Sequence, residues 1–191
     1  MVKVISIEGS IGCGKTTLIE QLINHHEKNF ILIPEPVEQW KTIMVGDKNI
    51  LESFYNDMPT VALPFQLIAL ITRRQLFIEK INEAKKLEEV LGKEVYLITE
   101  RTVFSDKYIF ADMLHDDGFI SDAGMVAYNM WNSVFSKECK VDKTIYITTN
   151  PEVCIKRVRI RNRQGEEKIS LEYLQECQRA HDHFFDEHLS K

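Results

Sequence analysis

Residues 9–16, GSIGCGKT, follow directly on the apolar run VKVISIE and have the spacing Gly, four residues, Gly-Lys-Thr. That spacing grips phosphate. Its glycines let backbone amides close around phosphate oxygens where a Cβ would intrude, and a helix starting near Lys15 turns its positive end toward the same anion. Gly9, Ser10, Ile11, Gly12, Cys13, Gly14, Lys15, Thr16 and Thr17 are therefore the expected nucleotide contacts. Lys15 is expected to bridge the outer phosphates and the Thr16 hydroxyl to ligate Mg2+. The loop predicts bound ATP or GTP without naming the acceptor. No Asn-Lys-x-Asp is present to read guanine, which argues against a GTPase.

Phosphoryl transfer to a small molecule needs a base, a metal ligand and positive charge over the migrating group. IPEPVEQW, residues 33–40, ends the second apolar run and sets Glu35 between Pro34 and Pro36, a stiffened backbone suited to a positioned general base. A solvated loop glutamate is the plainer alternative. YLITERTVFSD, residues 96–106, delivers Glu100 toward Mg2+ and Arg101 toward the phosphate or the base. A buried structural ion pair is the alternative there, and helix capping is the alternative for Asp106. RVRIRNR, residues 157–163, places Arg157 and Arg161 on one helical face and carries Arg163 into a glycine-bearing loop, which reads as a lid rather than a merely solvated basic face.

The elements that must hold these groups follow from periodicity. Apolar runs at 2–8, 30–34, 94–99 and 143–148 read as strands buried on both faces. Helical patterns cover 15–26, part of 37–55, 64–91, 105–115, 121–137, 151–163 and 171–188, with Pro64 and Pro151 in first turns and Gly92 as a stop. Residues 56–64 and 162–170 are the expected flexible loops. Strand–helix alternation with such crossovers predicts one α/β domain over 1–191, a parallel sheet between two helical layers.

Bulk properties narrow the partners. The net charge of -5 offers no general attraction to nucleic acid or anionic membrane, so neither is expected. The four cysteines lack metal spacing and read as reduced. A strand within two residues of Met1 leaves no room for a targeting peptide, and no apolar run approaches the ~20 residues of a membrane span, so a cytoplasmic protein is expected.

With IEGSIGCGKTT, PEPVEQW, Phe65-Gln66, ITERTVFSDKYIF and RIRNRQGEEKISLEYL in order along nearly the whole chain, the sequence resembles the deoxyribonucleoside kinase family. The resemblance implies a P-loop kinase fold, a homodimer built on two long helices, and transfer from ATP or another triphosphate, with Mg2+, to the 5′-hydroxyl of a deoxynucleoside. It implies Glu35 as base with Arg101 as its partner, and Trp40, Phe65 and Phe110 around the nucleobase, for which core packing is the alternative. Gln66 is implied at the base edge, and Tyr55 with Glu166 at the sugar 3′-hydroxyl, Glu167 being one residue of slippage away. Ala69, Arg73 and Asp106 are similar to the specificity sites of the deoxycytidine and purine-deoxynucleoside branch, so thymidine is expected to be a poor substrate. The family implies a fifth strand and an adenine-packing loop beyond HDHFFDEHLSK, so either the chain is truncated or its sheet is reduced, and donor preference stays open. Thymidylate kinase fits less well, because Ile33 and Val37 flank Pro34–Pro36 where arginine and glycine are expected.

Overall fold

The computed structural model describes residues 1–25 and 29–189. Four parallel strands, β1 (Val2–Gly9), β2 (Phe30–Ile33), β5 (Val95–Glu100) and β6 (Lys143–Ile147), form a sheet in the order β2-β5-β1-β6. Successive side chains on a strand point to opposite faces, and both faces are apolar here. Val4, Ile31, Ile33 and Leu97 join the core beneath the long helix α4 (Met58–Leu91), while Ile7, Ile98 and Leu32 join Ile19 of helix α1 (Lys15–His25) on the other side. The expected three-layer architecture is thus present. His26, the last residue of the first expected helix, lies outside the described residues.

Several elements differ from expectation. β6 is not buried on both faces: it is the margin of the sheet, and Ile145 is 44% exposed. Residues 37–55 form two helices, α2 (Val37–Thr42) and α3 (Ile50–Asn56), split by a short hairpin of β3 (Met44–Val45) and β4 (Lys48–Asn49) that turns at Gly46, φ 65°. Asn49 ends that hairpin and caps α3 by accepting from Glu52 N at 2.9 Å.

The expected loop at 56–64 is helical instead. α4 begins at Met58, because Asp57 caps it through Thr60 N and Pro59 occupies the tolerant first turn. Pro64 therefore sits inside the helix, exposed, with no N–H for the carbonyl of Thr60. α4 is also long and apolar enough by composition to cross a bilayer, contrary to the reading of the sequence. Half of that stretch is buried inside the fold.

The expected helix 105–115 is three pieces: α5 (Val103–Ser105), a π-helical segment (Asp106–Ala111) and α6 (Asp112–Asp116). Thr102, not Asp106, caps it, in a reciprocal pair with Ser105. Helix α7 (Asp122–Phe135) precedes β6. Helix α8 (Pro151–Arg161) ends at Asn162, and a 3-10 turn at Glu166–Lys168 leads to α9 (Leu171–Leu189). The segment 162–170 is tied down rather than loose. Arg159 donates to the carbonyls of Glu167 and Ile169, and a Cβ on Gly165, φ 93°, would meet the Glu52 backbone at 3.0 Å.

Candidate active site

Ligands of parallel sheets bind beyond the carboxyl ends of the strands. β1 runs into the phosphate loop, β2 into Glu35, and β5 ends at Glu100 with Arg101 following, so three adjacent strands deliver the polar groups to one edge. They open on a cleft enclosing about 1010 Å³ of empty space, its solvent mouth included.

From the phosphate loop, Ile11, Gly12, Lys15 and Thr16 line this cleft. Gly9, Ser10, Cys13, Gly14 and Thr17 do not; they shape the loop around it or lie on the outer turn of α1. Gly12, at φ 80°, runs against α8, where a Cβ would stand 2.7 Å from the Cys154 carbonyl. Lys15 Nζ, 5% exposed, donates to the Gly9 and Ser10 carbonyls at 3.2 and 3.0 Å. Burial, and then Arg101, lower its pKa. Thr16 Oγ1 donates to both Glu100 oxygens, at 3.0 and 3.2 Å. A hydroxyl and a carboxylate face to face are hard oxygen donors of the kind Mg2+ takes, with phosphate and water completing its shell.

Glu35 is held by two arginines. Arg73 Nη2 stands 3.3 Å and Arg101 Nε 3.2 Å from Glu35 Oε1. Burial alone would raise the Glu35 pKa, but Arg101, Arg73 and Lys15 outweigh it and hold the carboxyl at about 2. Arg73 also donates through Nε to Asp106 Oδ2 at 2.8 Å and through Nη1 to the Glu100 carbonyl at 2.9 Å. Asp106 reaches it because the π-helical turn aims Asp106 and Phe110 at the cleft together.

Arg101 carries a backbone φ of 65°, a left-handed geometry that costs a non-glycine residue on the order of 1–3 kcal/mol. Flanking bonds hold it there: Arg101 N donates to the Ile7 carbonyl at 3.1 Å, and Thr99 Oγ1 donates to the Arg101 carbonyl at 2.8 Å. The guanidinium lies 4.6 Å from the Phe110 ring centroid.

The opposite wall is aromatic. Trp40 meets Phe65 edge-on at 5.2 Å and anchors its Nε1 to Thr72 Oγ1 at 2.9 Å. Gln66, Ala69 and Arg73 share one face of α4 and line the cleft. Gln66 is 3% exposed, and its Oε1 has no hydrogen-bond partner. A buried orphan acceptor costs about 1–3 kcal/mol, which a ligand N–H can recover. Tyr55 and Glu166 both face the cleft. Glu166, 4% exposed, accepts from Arg161 Nε and Nη2 at 2.8 and 2.7 Å and from Arg163 Nη1 at 3.3 Å. Glu167 turns away and accepts from Gly165 N. Arg157 does not reach the cleft; its Nη1 donates to the Cys13 carbonyl at 3.0 Å and bolts α8 to the phosphate loop.

Sequence reasoning missed several neighbours. Leu51, Phe54 and Tyr173 line the cleft, and Phe54 stacks on Phe65 at 4.8 Å. Glu8, in the last turn of β1, is 2% exposed, with Oε1 3.3 Å from Ser105 Oγ and Oε2 unpartnered. A charged residue ending an apolar strand beside the phosphate loop was the available signal. His181, fully buried, contacts Arg101, and nothing in its helical spacing marked that contact.

A phosphate loop, a paired carboxylate and the arginines Arg161 and Arg163 around one cleft at the end of a parallel sheet are the parts of a nucleotide-dependent phosphotransferase. The model of the deoxynucleoside kinase family matches residues 5–190, and the chain belongs to that family. It is an enzyme that phosphorylates deoxynucleosides. Among its relatives, a probable deoxycytidine kinase of Fowlpox virus is 36% identical over 187 residues, covering 97% of this chain and 72% of that protein. Deoxycytidine kinase 2 of Gallus gallus is 32% identical, covering 93% and 72%. The mitochondrial deoxyguanosine kinase of Xenopus laevis is 28% identical, covering 95% and 72%.

Glu8 makes this site sensitive to pH. Burial raises its pKa from 4.5 to about 7 against the pull of Arg101 and Arg73. The folded chain then holds this proton more tightly than the unfolded chain, so the contribution of Glu8 to stability falls as pH rises from 4.5 to 7. The expected difference relative to Glu8→Gln is up to about 3 kcal/mol. Urea unfolding of both proteins at the two pH values measures it, since every other titration is common to both. Identical pH dependence in the two proteins would contradict this.

Proposed function

We propose that the enzyme transfers the γ-phosphoryl group of ATP, with Mg2+, to the 5′-hydroxyl of a deoxynucleoside whose base carries an exocyclic amino group, deoxycytidine foremost. The observation that carries this reading is the unpartnered Gln66 Oε1 on the same face of α4 as Arg73, which Asp106 pairs, all three lining the cleft. An amino donor satisfies the first, and the pair fills the space that a thymine methyl needs. The deoxycytidine kinases among the relatives agree with it.

Each side chain then has a task. Trp40, Phe65 and Phe110 hold the base, with Ala69 leaving room, while Tyr55 and Glu166 take the 3′-hydroxyl. Glu35 accepts the 5′-hydroxyl proton. Its low proton affinity suits a loose transition state, in which the attacking oxygen gives up its proton late. Gly9, Ser10, Ile11, Gly12, Cys13, Gly14 and Thr17 cradle the triphosphate, with Lys15 on its outer phosphates. Arg161 and Arg163 close over the transferred group, and Arg157 holds the loop. Thr16 and Glu100 would hold Mg2+, which would neutralise charge on the triphosphate.

The working unit in this reading is a homodimer in the cytoplasm, without nucleic acid or membrane partners. Its support is the net charge of -5 and the stripe Val126, Met130 and Val134, spaced by four along α7 and more than half exposed beside Trp131. Sedimentation at twice the monomer mass is expected; a monomer at micromolar concentration removes the dimer. For the chemistry, Glu35→Gln should lower kcat of the folded enzyme at least ~100-fold, the scale of lost general-base catalysis, and lower the thermal transition, because Arg73 and Arg101 lose the carboxylate they share. Initial rates with four deoxynucleosides should rank thymidine last. Unchanged turnover would take Glu35 out of the reaction, and thymidine as best substrate would reverse the base assignment.

A further inference from the structure

Arg101 is a buried cation of the cleft, and one of its contacts comes from far along the chain. Arg101 Nη1 stands 3.3 Å from Nε2 of His181, on α9 and 80 residues away. The histidine has 0% exposure. Its Nδ1 lies 2.5 Å from the Cys177 carbonyl. A carbonyl only accepts and a guanidinium only donates, so Cys177 and Arg101 favour the tautomer with the hydrogen on Nδ1 and the Nε2 lone pair toward Arg101, with the Gly9 backbone also near the ring. Burial, and then Arg101, push the imidazole pKa down to about 3, so this form persists across the working pH range.

The ring is clamped on its flat and edge sides. Tyr146 stacks on it at 5.9 Å and 5°, and Phe110 meets it edge-on at 5.8 Å. A hydrocarbon ring would fill this slot without the cost of burying two polar nitrogens. The nitrogens are used, and one of them is used on the arginine beside Glu35.

We propose that His181 is a positioning residue for phosphoryl transfer, which fixes the rotation of the Arg101 guanidinium so that Nε stays on Glu35 and Nη1 cannot swing away. It does not touch substrate. The proposal rests on the role given to Arg101 above, and the experiment separates the two.

H181F keeps an aromatic ring in the slot but has no acceptor; H181Q brings a carbonyl acceptor within reach of Nη1. Steady-state kinetics on both variants, on Arg101→Gln and on wild type, with melting curves, give the comparison. H181F is expected to lower kcat about 10- to 100-fold, the scale on which a displaced catalytic group slows a reaction. KM for triphosphate and nucleoside should move less than about 3-fold, and H181Q should restore most of kcat. A merely structural histidine would lower the melting temperature and leave kcat of the folded fraction alone. If Arg101→Gln is inactive while H181F keeps wild-type kcat, the proposal is overturned and the role of Arg101 stands. If Arg101→Gln is itself fully active, the role of Arg101 fails first. Should H181F not fold, H181Q against H181M compares similar chain lengths with and without a carbonyl acceptor, and equal kcat in those two overturns it.

Discussion

Two buried guanidinium groups share one carboxylate oxygen at the edge of the sheet, and that oxygen ties together side chains from three separate elements. Arg73 comes from the middle of α4, Arg101 from the residue after β5, and Glu35 from the turn after β2. Burying such charges costs several kcal/mol per ion unless each is paired and hydrogen-bonded. Arg73 meets that condition with Glu35, Asp106 and the Glu100 carbonyl, and Arg101 meets it with Glu35, His181 and the Phe110 face. The left-handed backbone at Arg101 is tolerated on the same account.

The pairing sets the chemical character of the cleft. A carboxylate held near pKa 2 is ionised at neutral pH and offers an acceptor oxygen to a hydroxyl that enters the cleft. At the lid, Arg161 and Arg163 are bound to Glu166, which faces the same cleft. Glu166 occupies donors of both arginines, so an anion entering between them would compete with that carboxylate for the same donors.

Much of this was legible in the sequence. The phosphate loop, the carboxylate between prolines and the Glu-Arg pair each follow a strand, and a parallel sheet brings strand ends to one edge by its topology alone. The three layers followed from strands apolar on both faces. What escaped notice depended on contacts between distant residues or on competing local signals. Pro64 was read as a helix start, yet Asp57 and Pro59 supply a better one six residues earlier. A hairpin of two-residue strands is too short for any periodicity. The π turn at Asp106, the φ of Arg101, the raised pKa of Glu8 and the tautomer of His181 are products of packing, and no spacing encodes them. The resemblance pointed to Glu166 with Glu167 one residue of slippage away, and burial separates the two.

The account stands on a 5′-hydroxyl meeting Glu35 while the phosphate chain lies on Lys15. A crystal structure of the enzyme with deoxycytidine and a non-hydrolysable triphosphate, with Mg2+, tests that most directly. The 5′-oxygen should lie within ~3 Å of a Glu35 oxygen, roughly in line with the γ-phosphorus, and the exocyclic amino group should be bonded to Gln66 Oε1. A nucleoside bound with its 5′-oxygen away from Glu35, or a base that leaves Gln66 unpaired, would contradict it.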